Sequence, residues 1–318
     1  MKKRLLVMTP ISHINGLEKL LKKYFKLDKI ENPSKNQIFK IIHNYEIIFT
    51  NPNMSKVFLS KKMLQKAKKL KIICTASTGT NHIDTDFSKK RKIKILSLRS
   101  NKKIINKISS TAEHALTLIM SKIRNVFEAA VSVKKGKWDY RPFIGRQMNY
   151  LNVGIIGYGR LGKMLIKYIS PLVKKILIYE KNFKIKNLNK KISQVSLKKL
   201  LTNSDVISLH IHADKKNVNF INKKTLRLRK KNVLIVNTSR GEIIDELDLV
   251  NFLKKNKDAR YSTDVLRGEV LNKFESKILK YSKLSSQVLI TPHIGGMTKD
   301  AQELAYIGIA KKLISNFS

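Results

Sequence analysis

The run Val153-Gly154-Ile155-Ile156-Gly157-Tyr158-Gly159-Arg160-Leu161-Gly162 decides the fold. An apolar stretch, Val153 to Ile156, leads into Gly-x-Gly-x-x-Gly. An amphipathic stretch from Lys163 to Ser170 follows and stops at Pro171, so the order is strand, tight turn, helix. Each glycine has its own reason. Gly157 lets the chain turn, Gly159 lets backbone approach a pyrophosphate, and Gly162 lets the helix pack closely on the strand. The helix start, with Tyr158, Arg160 and Leu161 between the glycines, then offers N–H groups and the positive end of its dipole to phosphates. A second apolar run, Ile176 to Tyr179, leads directly to Glu180, near the offset at which a carboxylate meets the ribose of a dinucleotide. A carboxylate there repels a 2′-phosphate, so the pattern points to NAD rather than NADP, with Lys181 as an opposing charge.

Outward from this stretch, short β-rich runs alternate with helical ones in both directions. Before it lie strands at Leu5 to Met8, Ile47 to Thr50, Ile72 to Cys74 and Ile93 to Ser97, with helices near Leu17 to Phe25 and Ser60 to Lys69. After it come strands at Val206 to His210, Val233 to Val236, Tyr261 to Val265 and Val288 to Thr291. Strands separated by helices of this length make parallel βαβ units, and 318 residues suit two domains. The expectation is an α/β protein with two doubly wound parallel sheets joined near residue 105. Thr111 to Ser132 has apolar residues at helical spacing and neither Pro nor Gly, which predicts the longest helix.

The formal charge of +44 would by itself suggest a polyanion partner. Its distribution argues otherwise. Only twelve of the 66 basic residues are Arg, and Lys pairs recur along the whole chain rather than on one segment, which reads as compositional bias and excludes nucleic acid as the main partner. The single cysteine, Cys74, lies in an apolar run and indicates a reducing compartment, so a cytoplasmic location is expected. Lys2-Lys3-Arg4 and the apolar residues after it imitate a signal peptide, but Thr9-Pro10 ends the run too early, and no stretch has the length of a membrane span. No His, Cys or acidic spacing suggests a metal site.

Chemistry gathers at strand ends, where open α/β sheets bind ligands. Asn237-Thr238-Ser239-Arg240-Gly241 puts a guanidinium at a glycine turn, suited to a carboxylate. Thr291-Pro292-His293-Ile294-Gly295-Gly296 puts an imidazole after the last strand, and Asp264-Val265-Leu266-Arg267-Gly268-Glu269 supplies carboxylates able to fix an imidazole tautomer.

With Thr111-Ala112-Glu113-His114 and Ser204 to His210, these motifs occur in the order found in the D-isomer-specific 2-hydroxyacid dehydrogenases, which the chain resembles over nearly its whole length. The resemblance implies a Rossmann cofactor domain, 102–301, inserted into a flavodoxin-like substrate domain formed by 1–101 and 302–318. It implies NAD as cofactor, a small anionic 2-oxo or 2-hydroxy acid as substrate, and a homodimer with Gly136 to Tyr150 as a contact arm. His293 would be the general acid/base, Glu269 its partner and Arg240 the substrate anchor. Thr78 and Gly79 would offer backbone N–H groups to the substrate carboxylate. Asp264 would meet the nicotinamide amide, and His210 and Thr238 belong to the cofactor side. Two departures bear on substrate, and two others remove no reacting group. Thr75 and Ser77 stand where phosphoglycerate-specific members commonly have Arg and Gly, Val270 where Pro usually follows the glutamate, and Tyr150-Leu151-Asn152 where Gly-Lys-Thr is usual. Phosphoglycerate is therefore disfavoured, and specificity is expected from loops such as Asn51 to Met54. The alternative is an NAD-binding regulatory or scaffold protein of the same fold without turnover.

Overall fold

The computed structural model describes residues 2–52, 57–269 and 272–317. In chain order the early elements are β1 (Arg4–Val7), α1 (Leu17–Tyr24), β2 (Lys26–Lys29), α2 (Lys35–Ile41), β3 (Ile47–Thr50), α3 (Lys61–Lys66), β4 (Ile72–Thr75), α4 (Thr85–Lys90), β5 (Lys94–Ser97) and α5 (Lys102–Ile105). Then follow α6 (Ser110–Ile123), α7 (Val126–Lys134), β6 (Asn152–Ile156), α8 (Arg160–Ile169), β7 (Lys175–Tyr179), β8 (Ile192–Gln194), α9 (Leu197–Asn203) and β9 (Val206–Leu209). The last are α10 (Lys223–Arg227), β10 (Leu234–Asn237), α11 (Glu246–Lys255), β11 (Arg260–Thr263), α12 (Lys277–Ser282), β12 (Val288–Ile290) and α13 (Lys299–Ile314). They form two compact units, one of Met1–Ile108 with Gly296–Ser318, the other Ser109–Gly295.

The first unit holds a five-stranded parallel sheet in the order β2-β1-β3-β4-β5, the flavodoxin-like arrangement. Its inner strands are mostly apolar because both faces are covered. Leu5, Val7, Ile47, Phe49 and Cys74 point into a core shared with α1 and α13. Their alternate neighbours Leu6, Ile48 and Ile73 point into a second core with Ile38, Met63 and Leu64. The chain's last helix thus completes the sheet that its first residues begin. Gly308 of α13 lies so near Ile104 that a Cβ would meet its side chain at 2.1 Å.

The second unit has seven parallel strands in the order β12-β11-β10-β9-β6-β7-β8. Strand order reverses at β6, between β9 and β7, which is the Rossmann switch point. Again two cores result. Val153 and Ile155 pack with Leu118, Ile119 and Leu165, whereas Ile156, Ile207 and Ile235 pack with Leu200, Leu249 and Leu253.

Two expectations need correction. The stretch Thr111 to Ser132 is not one helix, and α13, with 16 residues, is longer than either part. The break falls at Asn125, whose φ of 53° is left-handed, a conformation that Asn tolerates better than most residues. Arg260 donates to its side-chain oxygen and also to Lys122 O (3.0 Å), so a tertiary contact overrides a continuous helical pattern. In addition β2 and β8 are missing from the sequence reading. Both are sheet edges, with the mostly polar sequences Lys-Leu-Asp-Lys and Ile-Ser-Gln, and have no continuous apolar run to betray them.

Candidate active site

The glycine turn is built as tightly as its sequence requires. Gly157 has φ +99°, and a Cβ there would meet His210 O at 2.7 Å; a Cβ on Gly162 would meet Gly157 O at 2.3 Å. Gly159 differs, because nothing lies within 4 Å of its Cβ position. Open space therefore faces the start of α8, whose N-cap is Gly159, a residue with no side chain to cap it. Burial pushes the Arg160 guanidinium below its ordinary value. Tyr158 and Leu161 pack partly into the core under α6 and α8. Glu180 closes over the turn, accepting from Tyr158 N (3.1 Å) and Asn182 N (2.9 Å). Beside it is a surface hollow lined by Lys181, Asn182, Phe183, Lys184 and Gln194.

At the carboxyl ends of β9 and β10, two buried polar atoms have no partner among the described residues: His210 Nδ1 and Thr238 Oγ1. Burial pushes the His210 imidazole down to about 4, so it is neutral at pH 7, with Nε2 2.9 Å from Ser208 Oγ. Orphaned buried atoms signal an absent partner. Together with the open glycine at the start of α8, they fit a dinucleotide lying along this edge of the sheet.

Arg240 leaves β10 in extended conformation. Its Nη1 donates to Ser239 O (2.6 Å), the side chain is half-buried, and it makes no ion pair among the described residues. Its turn is locked from below, since Asn237 Nδ2 donates to Arg240 O (2.9 Å). A Cβ on Gly241 would strike the backbone of Leu266 and Arg267 at 2.1 Å. Arg267 ties the two turns together, donating to Glu242 O (3.1 Å) and Ile244 O (2.9 Å). Glu269 follows, accepting from Leu266 N (3.2 Å) through Oε2 and meeting His293 Nδ1 at 2.7 Å through Oε1. The pair is only partly exposed, 28% for His293 and 17% for Glu269.

Asp264, 2% exposed, faces the loop that carries His293. Its Oδ1 accepts from Thr291 Oγ1 (2.5 Å) and Ile294 N (2.8 Å), and its Oδ2 from Gly295 N (2.7 Å). His114 Nε2 is 2.9 Å from Thr291 Oγ1 and 3.4 Å from Asp264 Oδ1. Burial by itself would raise the Asp264 carboxyl, but these bonds outweigh it and hold the group below its ordinary value. Sequence reasoning quoted His114 and Thr291 within motifs but gave neither a role in this site. The two are 177 positions apart, and no spacing rule joins them.

In the first unit, Thr78 and Gly79 follow β4. Their loop is fixed by Thr75, whose buried hydroxyl lies 2.8 Å from Ser77 Oγ and 3.1 Å from His82 Nε2, and by Ser77 Oγ donating to Gly79 O (2.7 Å). Val270 and the Asn53–Met54 part of the expected specificity loop lie outside the described residues. Among the described residues no group of His, Cys, Asp and Glu is arranged to hold a metal ion, and no helix is long and apolar enough to cross a membrane.

Comparison with known proteins gives this geometry a context. Residues 116–295 match the profile of the D-isomer specific 2-hydroxyacid dehydrogenase, NAD binding domain. The chain is 30% identical to a D-3-phosphoglycerate dehydrogenase of Archaeoglobus fulgidus over 98% of its own length and 57% of that protein's, so it spans little more than half of that relative. It is 29% identical to a hydroxypyruvate reductase of Thermotoga maritima, covering 89% of this chain and 88% of the other. A D-lactate dehydrogenase of Aquifex aeolicus, solved with NAD and lactic acid, superposes with a TM-score of 0.82 at 28% identity, over 99% of this chain and 95% of that one. The glycine turn, the Arg240 turn and the His293 loop all end strands of the one unit whose sequence the profile matches. On that match the chain belongs to the D-isomer-specific 2-hydroxyacid dehydrogenases and carries their NAD-binding domain.

Proposed function

We propose that the chain reduces a small 2-oxo acid to its D-2-hydroxy acid, and catalyses the reverse, with NAD(H). The observation that carries this reading is the 2.7 Å contact between His293 Nδ1 and Glu269 Oε1 at the carboxyl end of a dinucleotide-binding sheet. With Nδ1 engaged by the carboxylate, Nε2 is the atom that hands a proton to the substrate oxygen in reduction and takes it back in oxidation. NADH, when bound, supplies the hydride. Gly157 to Gly162 and the start of α8 would hold its pyrophosphate, Glu180 its adenosine ribose, and His210, Thr238 and Asp264 the nicotinamide end. Arg240 would orient the substrate carboxylate by paired N–H groups. Charge complementarity and fixed geometry then supply most of the rate.

The substrate is proposed to lack a second anionic group. Where a phosphate-binding cation is expected, Thr75 is fully buried and bonded to Ser77 and His82. A homodimer is proposed through the segment Gly136 to Tyr150, which exposes the large apolar side chains of Trp138, Tyr140, Ile144 and Tyr150, since exposed apolar surface marks association sites. Sedimentation as a monomer at micromolar concentration excludes it.

The test is NADH consumption against a panel of unphosphorylated and phosphorylated 2-oxo acids. Turnover is expected with at least one unphosphorylated acid, and His293→Ala should lower it by about 100- to 10,000-fold while NADH binding stays near wild type. A chain that binds NADH and turns over nothing on the panel is instead a non-catalytic NAD-binding protein.

A further inference from the structure

His293 has a backbone conformation that its own chemistry does not favour. Its φ is +59°, left-handed for a residue with a Cβ, and such a conformation persists only where the surroundings over-determine it. The surroundings here are the Asp264 carboxylate. The two residues after His293 are bound to it, Ile294 N through Oδ1 (2.8 Å) and Gly295 N through Oδ2 (2.7 Å), so the carboxylate spans the bend with both oxygens. Packing is equally close, because a Cβ on Gly295 would meet Asp264 Oδ2 at 2.9 Å and His114 Cδ2 at 3.6 Å.

What aims the carboxylate lies on another element. Thr291 Oγ1 donates to Asp264 Oδ1 at 2.5 Å and so has its lone pairs left to accept. The group at 2.9 Å that can donate to it is His114 Nε2, on the first turns of α6. The same nitrogen is 3.4 Å from Asp264 Oδ1. A chain of bonds therefore runs from a rigid helix to a hydroxyl, to a buried carboxylate, to two amides, and ends at the strained residue. We infer that His114 is a positioning residue for His293, acting through Thr291 and Asp264; in its catalytic consequence this rests on the dehydrogenase reading above. His114 touches no reacting atom. Without its N–H, Thr291 and the carboxylate lose their fixed orientation, the two amides loosen, and His293 can relax to ordinary φ with its ring turned from Glu269.

The experiment compares His114→Ala with His114→Gln, whose amide N–H can reach the place of the imidazole Nε2–H. Two readouts are taken on the full chain: hydrogen exchange at the amides of Ile294 and Gly295, and kcat, KM and NADH affinity with the best 2-oxo acid. In His114→Ala, exchange at both amides should quicken by about tenfold or more, with Ile155 in β6 unchanged. The same variant should lose about 10- to 100-fold in kcat, with KM for the 2-oxo acid little altered, as expected for a misplaced proton donor. His114→Gln should restore both. Unchanged amides in the alanine variant, or a glutamine variant as impaired as alanine in both readouts, overturns the inference. Should His114→Ala fail to fold, Thr291→Val breaks the same chain at the next link and must give the same pattern, with Thr291→Ser restoring it; wild-type behaviour in Thr291→Val overturns the inference equally. The exchange readout needs no turnover. Altered amides in a protein without activity would count against the dehydrogenase reading and leave the positioning role standing.

Discussion

Gly241→Ala places one methyl group between the turn that carries Arg240 and the turn that carries Glu269. The added Cβ would lie 2.1 Å from Arg267 N and from Leu266 C, and 2.5 Å from Leu266 O, all main-chain atoms that cannot swing aside. Ordinary contact begins at 3.4 Å, so the turns must separate by 1.3 Å at that point. Arg267 resists the separation through its bonds to Glu242 O and Ile244 O, and the backbone shift should cost about 1–3 kcal/mol, as overpacking does. For a unit of this size that corresponds to a fall in Tm of roughly 2–12 °C. The larger effect should be kinetic. Displacing a substrate anchor by about 1 Å from its proton donor typically costs on the order of 100-fold in kcat/KM. Steady-state kinetics, thermal melting and NADH titration separate the terms: kcat/KM falls, Tm falls modestly, and NADH affinity holds because the glycine turn at Gly157 to Gly162 is untouched. An alanine variant with wild-type kcat/KM and Tm would refute the close packing of the two turns on which the reasoning depends.

Glu180→Ala should narrow the preference for NAD over NADP, because the removed carboxylate opposes a 2′-phosphate while Lys181 and Lys184 line the same hollow; a wild-type protein that already prefers NADP would contradict the assignment. Asp264→Asn should cost about 1–3 kcal/mol at pH 7, since its amide nitrogen would face an N–H where a carboxylate oxygen now accepts. The folded-state value of Asp264 is depressed, so its stabilisation is complete above about pH 4, the ordinary carboxylate range, and is lost as pH falls through the folded value. Denaturant unfolding across pH should therefore show the variant's deficit shrinking in acid, and a deficit independent of pH would refute the sign.

The fold was legible wherever burial on two faces forced apolar strands, as at Ile47–Thr50 and Val206–Leu209, and wherever a glycine had a steric reason, as at Gly157 and Gly162. It was illegible where solvent took over one side. Lys26–Lys29 and Ile192–Gln194 pair at sheet edges, and their side chains carry no mark of it. The helix break at Asn125 depends on Arg260, 135 positions away, and helical spacing cannot register such a contact. The candidate site divides in the same manner. Arg240, Glu269 and His293 stand out because strand ends concentrate chemistry, whereas the support for His293 comes from a contact between His114 and Thr291, whose motifs are visible but whose meeting across 177 positions is not. Substrate identity is absent for a related reason: it depends on the shape of loops, and a shape made by many side chains has no short motif.

Cys74 offers a clock for one half of the chain. It is the protein's single thiol, fully buried in β4, with Sγ 3.8 Å from Ile309 O in α13, and burial raises the thiol well above its ordinary value. A thiol reagent can therefore reach it only during openings that lift the last helix from the sheet laid down by the first residues. The labelling rate then reports how often the two ends of the polypeptide part company, while the inserted unit between them, having no cysteine, stays silent.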